Sequence, residues 1–233
     1  MCGPWNSSKW VTDWQKINNT KFQSRQLYEW PYNVDLIEQI SPYMKSMKWF
    51  EFYGGEPMML KEHMDIVVAC VESGHNKCIS MNMNTNGTKP FTYAHMALYE
   101  KLNTVGISWS IDSVDEDRFR YQRFPACLED VLRNFEYVYE NSPPNIVNSM
   151  TITVNVLSVL YLGEIAKYLK LYPNCNVHFN VLFSPEYLSI TQIGKNASIM
   201  ISNELEKIDV SDIRIHSTSI QDIVTILSNN DTD

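Results

Sequence analysis

Short apolar runs and longer segments of helical period alternate along this chain. The apolar runs cover 48–53, Cys78 to Asn84, Val105 to Ile111, 148–156 and Val177 to Phe183. Amphipathic segments fall between them, near 59–73, 91–102, 126–141 and 160–171. In the first of these, Met59, Leu60, His63, Met64, Ile66, Val67 and Cys70 keep one helical stripe. Leu128, Val131, Leu132, Phe135, Val138 and Tyr139 do the same in the third. Strand and helix in alternation predict repeated βα units, a parallel sheet and right-handed crossovers. Asn141-Ser142-Pro143-Pro144-Asn145 is a clear break before the fourth strand. Residues 5–33 have no clean period and read as mixed loop and helix, and 34–47 read as a helix leading into the first strand. Beyond about residue 186 the rhythm fades: 203–208 and 219–227 read as helices, and 229–233 as a polar tail. The expected division is a core over 1–190 and a C-terminal helical extension with a disordered tail over 191–233.

Composition narrows the class. With 233 residues and 44% hydrophobic side chains, the chain suits one large domain, or a domain with an appendage, and not a disordered protein. A net charge of −8 argues against a basic face for nucleic acid. No apolar run approaches the roughly 20 residues of a membrane span, and Met1-Cys2-Gly3-Pro4-Trp5 lacks the start of a signal peptide. The expectation is a soluble cytoplasmic protein. Cysteines 2, 70, 78, 127 and 175 are odd in number and irregular in spacing, which is no disulfide framework. Cys70, Cys78, Cys127 and Cys175 read as core thiols.

The candidate chemistry collects at the carboxyl ends of the strands, where parallel βα folds carry their sites. After the first strand comes Gly54-Gly55-Glu56-Pro57. Two glycines there let a ligand approach the backbone, and Glu56 can accept hydrogen bonds from a cationic donor. The second strand ends in Thr85-Asn86-Gly87-Thr88 and the third in Ser110-Ile111-Asp112; Arg118, Arg120 and Arg123 follow, and Asn155 closes the fourth. Each has a plainer reading. Asn86-Gly87 also suits a bare turn, the serines suit a solvent-facing strand edge, and the arginines suit a helix start paired with Asp115, Glu116 and Asp117. Their order along the chain is what singles them out.

That order resembles the radical S-adenosylmethionine (SAM) superfamily, closest to its SPASM/twitch branch. Members carry Cys-x-x-x-Cys-x-x-Cys, then Gly-Gly-Glu-Pro, a Thr-Asn-Gly strand end, a Ser-x-Asp strand end and a following Arg. The matching residues here are Cys2, Gly54 to Pro57, Thr85 to Thr88, Ser110 with Asp112, and Arg123. The resemblance runs from residue 1 to about 185. It implies an α/β fold, a partial (β/α)6 TIM-like barrel lacking its first strand and most of the cluster loop. Two of the three cluster cysteines are absent, so it further implies a chain cut within the motif. Its cofactors are a 4Fe–4S cluster, with Cys2 as a ligand, and SAM, whose one-electron cleavage yields a radical that takes hydrogen from a substrate. Glu56 would accept from the SAM ammonium beside Gly54, Gly55 and Pro57. Ser110 and Asp112, helped by Asn155, would hold the ribose. Arg123 would pair with the carboxylate, or Arg120 if the register lies one turn off, and Thr85 and Asn86 would shape the floor near the cluster. The implied partners are SAM, a peptide substrate, an electron donor and an N-terminal complementing piece, with no nucleic acid and no membrane. Two other classes stay open: an inactive SAM- or substrate-binding remnant, and an unrelated βα barrel using Glu56, Asp112 and His63 for acid–base work.

Overall fold

The computed structural model describes residues 8–21 and 35–230. Cys2 lies outside the described residues. Helix α1 spans Ser8–Asn18 and α2 spans Leu36–Ile40. Then β1 (Trp49–Phe52), α3 (Lys61–Glu72), β2 (Ser80–Thr85) and α4 (Tyr93–Tyr99) follow. Next come β3 (Val105–Ser110), α5 (Glu116–Arg123), α6 (Leu128–Asn141), β4 (Ile146–Val154), α7 (Leu162–Leu169) and β5 (Asn176–Val181). Last are α8 (Lys195–Leu205), β6 (Arg214–Ile215) and α9 (Ile220–Ser228). The strands form one sheet in the order β1 to β6, each parallel to its neighbour. This is the partial α/β barrel expected from the resemblance.

Strand alternation places the core. Val105, Ile107 and Trp109 of β3 are fully buried, while Gly106, Ser108 and Ser110 on the other face are half-exposed. Met81 and Met83 of β2, and Met150, Ile152 and Val154 of β4, join the buried face against the helices. Trp109 meets Phe91 and Phe135 at ring-centroid distances of 5.3 and 5.6 Å. Its indole N–H donates to Asn148 Oδ1 at 3.0 Å, so a polar pair enters the core already satisfied. Local signals start the helices. Asp115 accepts from the Arg118 amide at the head of α5, and Thr92 and His95 form a reciprocal capping box on α4. No helix among the described residues is long and apolar enough to cross a membrane.

Several expectations are corrected. Cys78 does not open a strand; it ends a 3₁₀ turn over Asn76–Cys78 and is exposed. Cys127 is also exposed, as the residue that precedes α6. Cys70 and Cys175 are buried core thiols, and burial pushes them up to about 11 and about 12. Of the helix expected over 203–208, only residues 203–205 are helical, as the end of α8, which starts at Lys195. The sheet also continues past residue 191, because β6 pairs with β5 through Asn176–Arg214 and Val177–Ile215.

Candidate functional site at the strand ends

Two polar clusters close the carboxyl ends of adjacent strands. The first joins β1 to β2. Gly54 and Gly55 turn the chain with φ of +81° and +59°, and none of the described residues stands within 4 Å of where a Cβ would lie on either. Both therefore need glycine's freedom of conformation, and both leave open space before the backbone. Glu56 follows and is buried. Its Oε1 accepts from the Thr85 hydroxyl at 2.8 Å and from the Met58 amide at 3.2 Å, and its Oε2 accepts from the Asn86 amide at 2.6 Å. Burial pushes its pKa above the ordinary value, and these three donors pull the other way. Asn86 Oδ1 accepts from the Thr88 amide, and Gly87 takes φ +72°, so the expected Asn-Gly turn is present and also serves the carboxylate.

The second cluster joins β3 to β4. Asp112 is buried; its Oδ1 accepts from the Thr153 amide at 2.7 Å and its Oδ2 from Arg123 Nε at 2.6 Å. Arg123 stands at the end of α5, where a cation also suits the helix dipole. Asn155 is held by its own turn, its Oδ1 accepting from the Leu157 amide at 2.8 Å, and it lies 3.4 Å from Gln122 Oε1. Ser110 is half-exposed, and its hydroxyl has no partner among the described residues. The clusters are neighbours. Thr85 pairs in register with Trp109, the residue before Ser110, and Ser110 pairs with Thr151.

The structure thus brings together Gly54, Gly55, Glu56, Thr85 and Asn86 in one cluster, and Asp112, Arg123 and Asn155 in the next. Pro57 opens a 3₁₀ turn beneath Glu56 and is buried. The other arginines go elsewhere. Arg118 stacks over Tyr161 at 3.8 Å and pairs with Glu164 on α7, while Arg120 is exposed. No local pattern signals the pairings of Thr153 with Asp112, Gln122 with Asn155 or Glu164 with Arg118, which lie far apart in sequence. His63 is buried within α3, with Nε2 at 2.8 Å from the Tyr99 hydroxyl and its ring against Phe52. Burial pushes its pKa down to about 4. Among the described residues, no group of three His, Cys, Asp or Glu side chains is placed to hold a metal ion. A groove lined by Leu160, Glu164, Lys167, Lys170 and Lys207 involves no residue of the two strand-end clusters.

No protein-family model and no curated protein matches the chain by sequence. Solved structures do match. SuiB of Streptococcus suis bound to S-adenosylmethionine aligns at 10% identity and a TM-score of 0.54, over 80% of this chain and 43% of SuiB. Native anSMEcpe with bound AdoMet aligns at 15% identity and 0.51, over 78% of this chain and 52% of that protein. The form with AdoMet and Cp18Cys peptide aligns at 15% and 0.55, over 77% and 54%. The chain spans about half the length of the proteins it matches. At these identities the likeness is one of fold: the chain has the α/β, partial TIM-like barrel fold of the radical SAM type.

Proposed function

We propose that this chain is the SAM-binding portion of a radical SAM enzyme of the SPASM/twitch branch that acts on a peptide. The observation that carries the reading is the division of labour among the strand-end groups. Glu56 and Asp112 are fixed by the neighbouring strands, while Ser110 is unpartnered and Arg123 is engaged through Nε alone. Among the described residues, the space before Gly54 and Gly55 is open. Those residues suit a ligand with an ammonium, a carboxylate and a ribose. Glu56 accepts from the ammonium beside the two glycines, and the outer nitrogens of Arg123 take the carboxylate. Ser110 and Asp112 hold the ribose hydroxyls, with Asn155 beside them. When bound, SAM would supply hydrogen-abstracting chemistry, and the residues here would bind and orient it.

The cluster is a different matter. The described residues provide no ligand set for a 4Fe–4S cluster, and the proposed ligand Cys2 lies outside them. The peptide substrate is supported by SuiB bound to precursor peptide SuiA, matched at a TM-score of 0.55, and by anSMEcpe with the Cp18Cys peptide.

Calorimetric titration of the chain with SAM and with methylthioadenosine tests the reading. Methylthioadenosine keeps the nucleoside but lacks ammonium and carboxylate. Each charge-assisted contact is worth about 1.5–3 kcal/mol, so SAM is expected to bind at least ~10-fold more tightly. Equal affinities, or no binding of either, would overturn the proposal.

A further inference from the structure

Two histidines meet at the last pair of strands. β5 alternates Asn176, His178 and Asn180 with buried Val177 and Phe179, so His178 stands on the face turned away from the helices. β6 runs alongside with Ile215 opposite Val177, and one step on, the His216 amide donates to the Val177 carbonyl at 2.9 Å. That bond sets His216 beside His178. Their ring centroids are 5.9 Å apart and the ring planes are inclined by 39°. His178 is half-buried and His216 is exposed.

Packing alone leaves the polar atoms of both rings unused. Among the described residues neither imidazole has a hydrogen-bond or ion-pair partner. Thr151, opposite His178 on β4, is different, since its hydroxyl lies 2.6 Å from that of Ser108. Burial first, and then the neighbouring His216, hold His178 below the ordinary histidine range. Its ring is therefore neutral at pH 7 and keeps a free lone pair. Metal–nitrogen bonds of about 2.0–2.1 Å to one tetrahedral ion place two imidazole centres roughly 5 Å apart. The observed 5.9 Å closes to that value by a small rotation of the exposed His216 side chain.

We propose that His178 and His216 form a Zn²⁺ site that fastens β6 to β5, with water completing the tetrahedron. Imidazole nitrogen suits zinc. Among the described residues no third His, Cys, Asp or Glu joins the pair, so hard cations, which take carboxylate and carbonyl oxygen, find no carboxylate there. Arg214 precedes His216 by two residues and is exposed. An anion drawn to Arg214 would need both rings protonated, and the burial of His178 opposes that. β6 has two residues, so an ion bridging it to β5 adds substantially to its hold on the sheet. The site shares no residue with the proposed SAM contacts and does not depend on that reading.

Titration of the full chain with zinc chloride tests it, read by nuclear magnetic resonance of the imidazole nitrogens and by thermal unfolding. The chain has five histidines, so each can be followed separately. With Zn²⁺ the His178 and His216 signals are expected to move together and saturate, and the melting temperature to rise; Mg²⁺ is expected to do neither. His216→Ala, at an exposed position, is expected to weaken the binding seen at His178 by ~10-fold or more and to remove the thermal gain. His178→Ala is expected to do the same to the binding seen at His216. Cys78 and Cys127 are exposed and also attract zinc, so the imidazole signals decide the outcome, not the total zinc taken up. No shift, a shift at only one of the two rings, or an affinity at His178 unchanged by His216→Ala overturns the proposal. So does a joint shift with inorganic phosphate and none with Zn²⁺, which would make the pair and Arg214 an anion site.

Discussion

Replacing Asp112 by asparagine separates the two duties assigned to it. The carboxylate accepts from the Thr153 amide at 2.7 Å and from Arg123 Nε at 2.6 Å. Asparagine keeps the volume and one acceptor. If its oxygen stays on the Thr153 amide, its NH2 faces Arg123 Nε, donor against donor, and the cation loses its partner. Removing one member of a buried ion pair costs about 3–5 kcal/mol. The Arg123 side chain is 26% exposed, so water takes over part of that loss. A charge-assisted hydrogen bond of about 2 kcal/mol is then the better measure. For a chain of this size that lowers the melting temperature by roughly 4–8 °C. The same change frees Arg123 from its position, and SAM affinity is expected to fall about 10-fold. Thermal unfolding and calorimetry at neutral pH measure both. Arg123→Gln and the double variant complete a cycle with an expected coupling of about 1–2 kcal/mol. An unchanged melting temperature together with zero coupling would refute the claim that this pair fastens α5 to the end of β3.

Three other outcomes follow from the geometry. Burial holds His63 neutral, down to about 4 against an ordinary 6.5, so the unfolded chain binds the extra proton between those values. Stability should therefore fall by about 3 kcal/mol as pH drops from 6.5 to 4, and His63→Phe should remove that slope in urea titrations. Glu56 acts in the opposite sense. Its folded pKa is raised by burial, so its contribution is complete below the ordinary 4.5 and is lost as pH rises through the folded value. A carbon-13 titration of its carboxyl with a midpoint at or below 4.5 would contradict this. Gly87→Ala forces a left-handed φ of +72° on alanine and sets its Cβ 2.8 Å from Val131 Cγ1. A loss of about 2–3 kcal/mol in chemical denaturation is expected, and a wild-type midpoint would show that the turn relaxes freely.

The strands and their polar ends were legible because a parallel sheet under helices writes a period of two into the sequence. Val105, Ile107 and Trp109 are buried and the residues between them are polar. The start of α8 was hidden for the converse reason: Ser198 and Ser202 face inward while Ile199 and Met200 are exposed, which inverts the usual pattern. β6 has two residues, too short to carry any period. Among the site residues, Glu56 and Asp112 were marked by local motifs. Thr85, Asn86 and Arg123 were marked as well, but their pairing with these carboxylates was not, since it depends on how the strands and α5 come together. Three arginines in six residues left the choice open. In the structure Arg123 reaches Asp112, Arg120 is exposed, and Arg118 is taken by Tyr161 and Glu164. The close approach of Asn82 to Gly106 had no signal in sequence, because it depends on the register between β2 and β3.

The most direct test of the account follows the backbone amide resonances of the whole chain during a SAM titration. Shifts confined to the strand ends, at Gly54, Gly55, Asn86, Ser110, Asp112 and Asn155, and abolished together by Arg123→Gln, are the predicted result. Saturable shifts that leave these residues untouched and centre on the groove lined by Lys167 and Lys207 would contradict it.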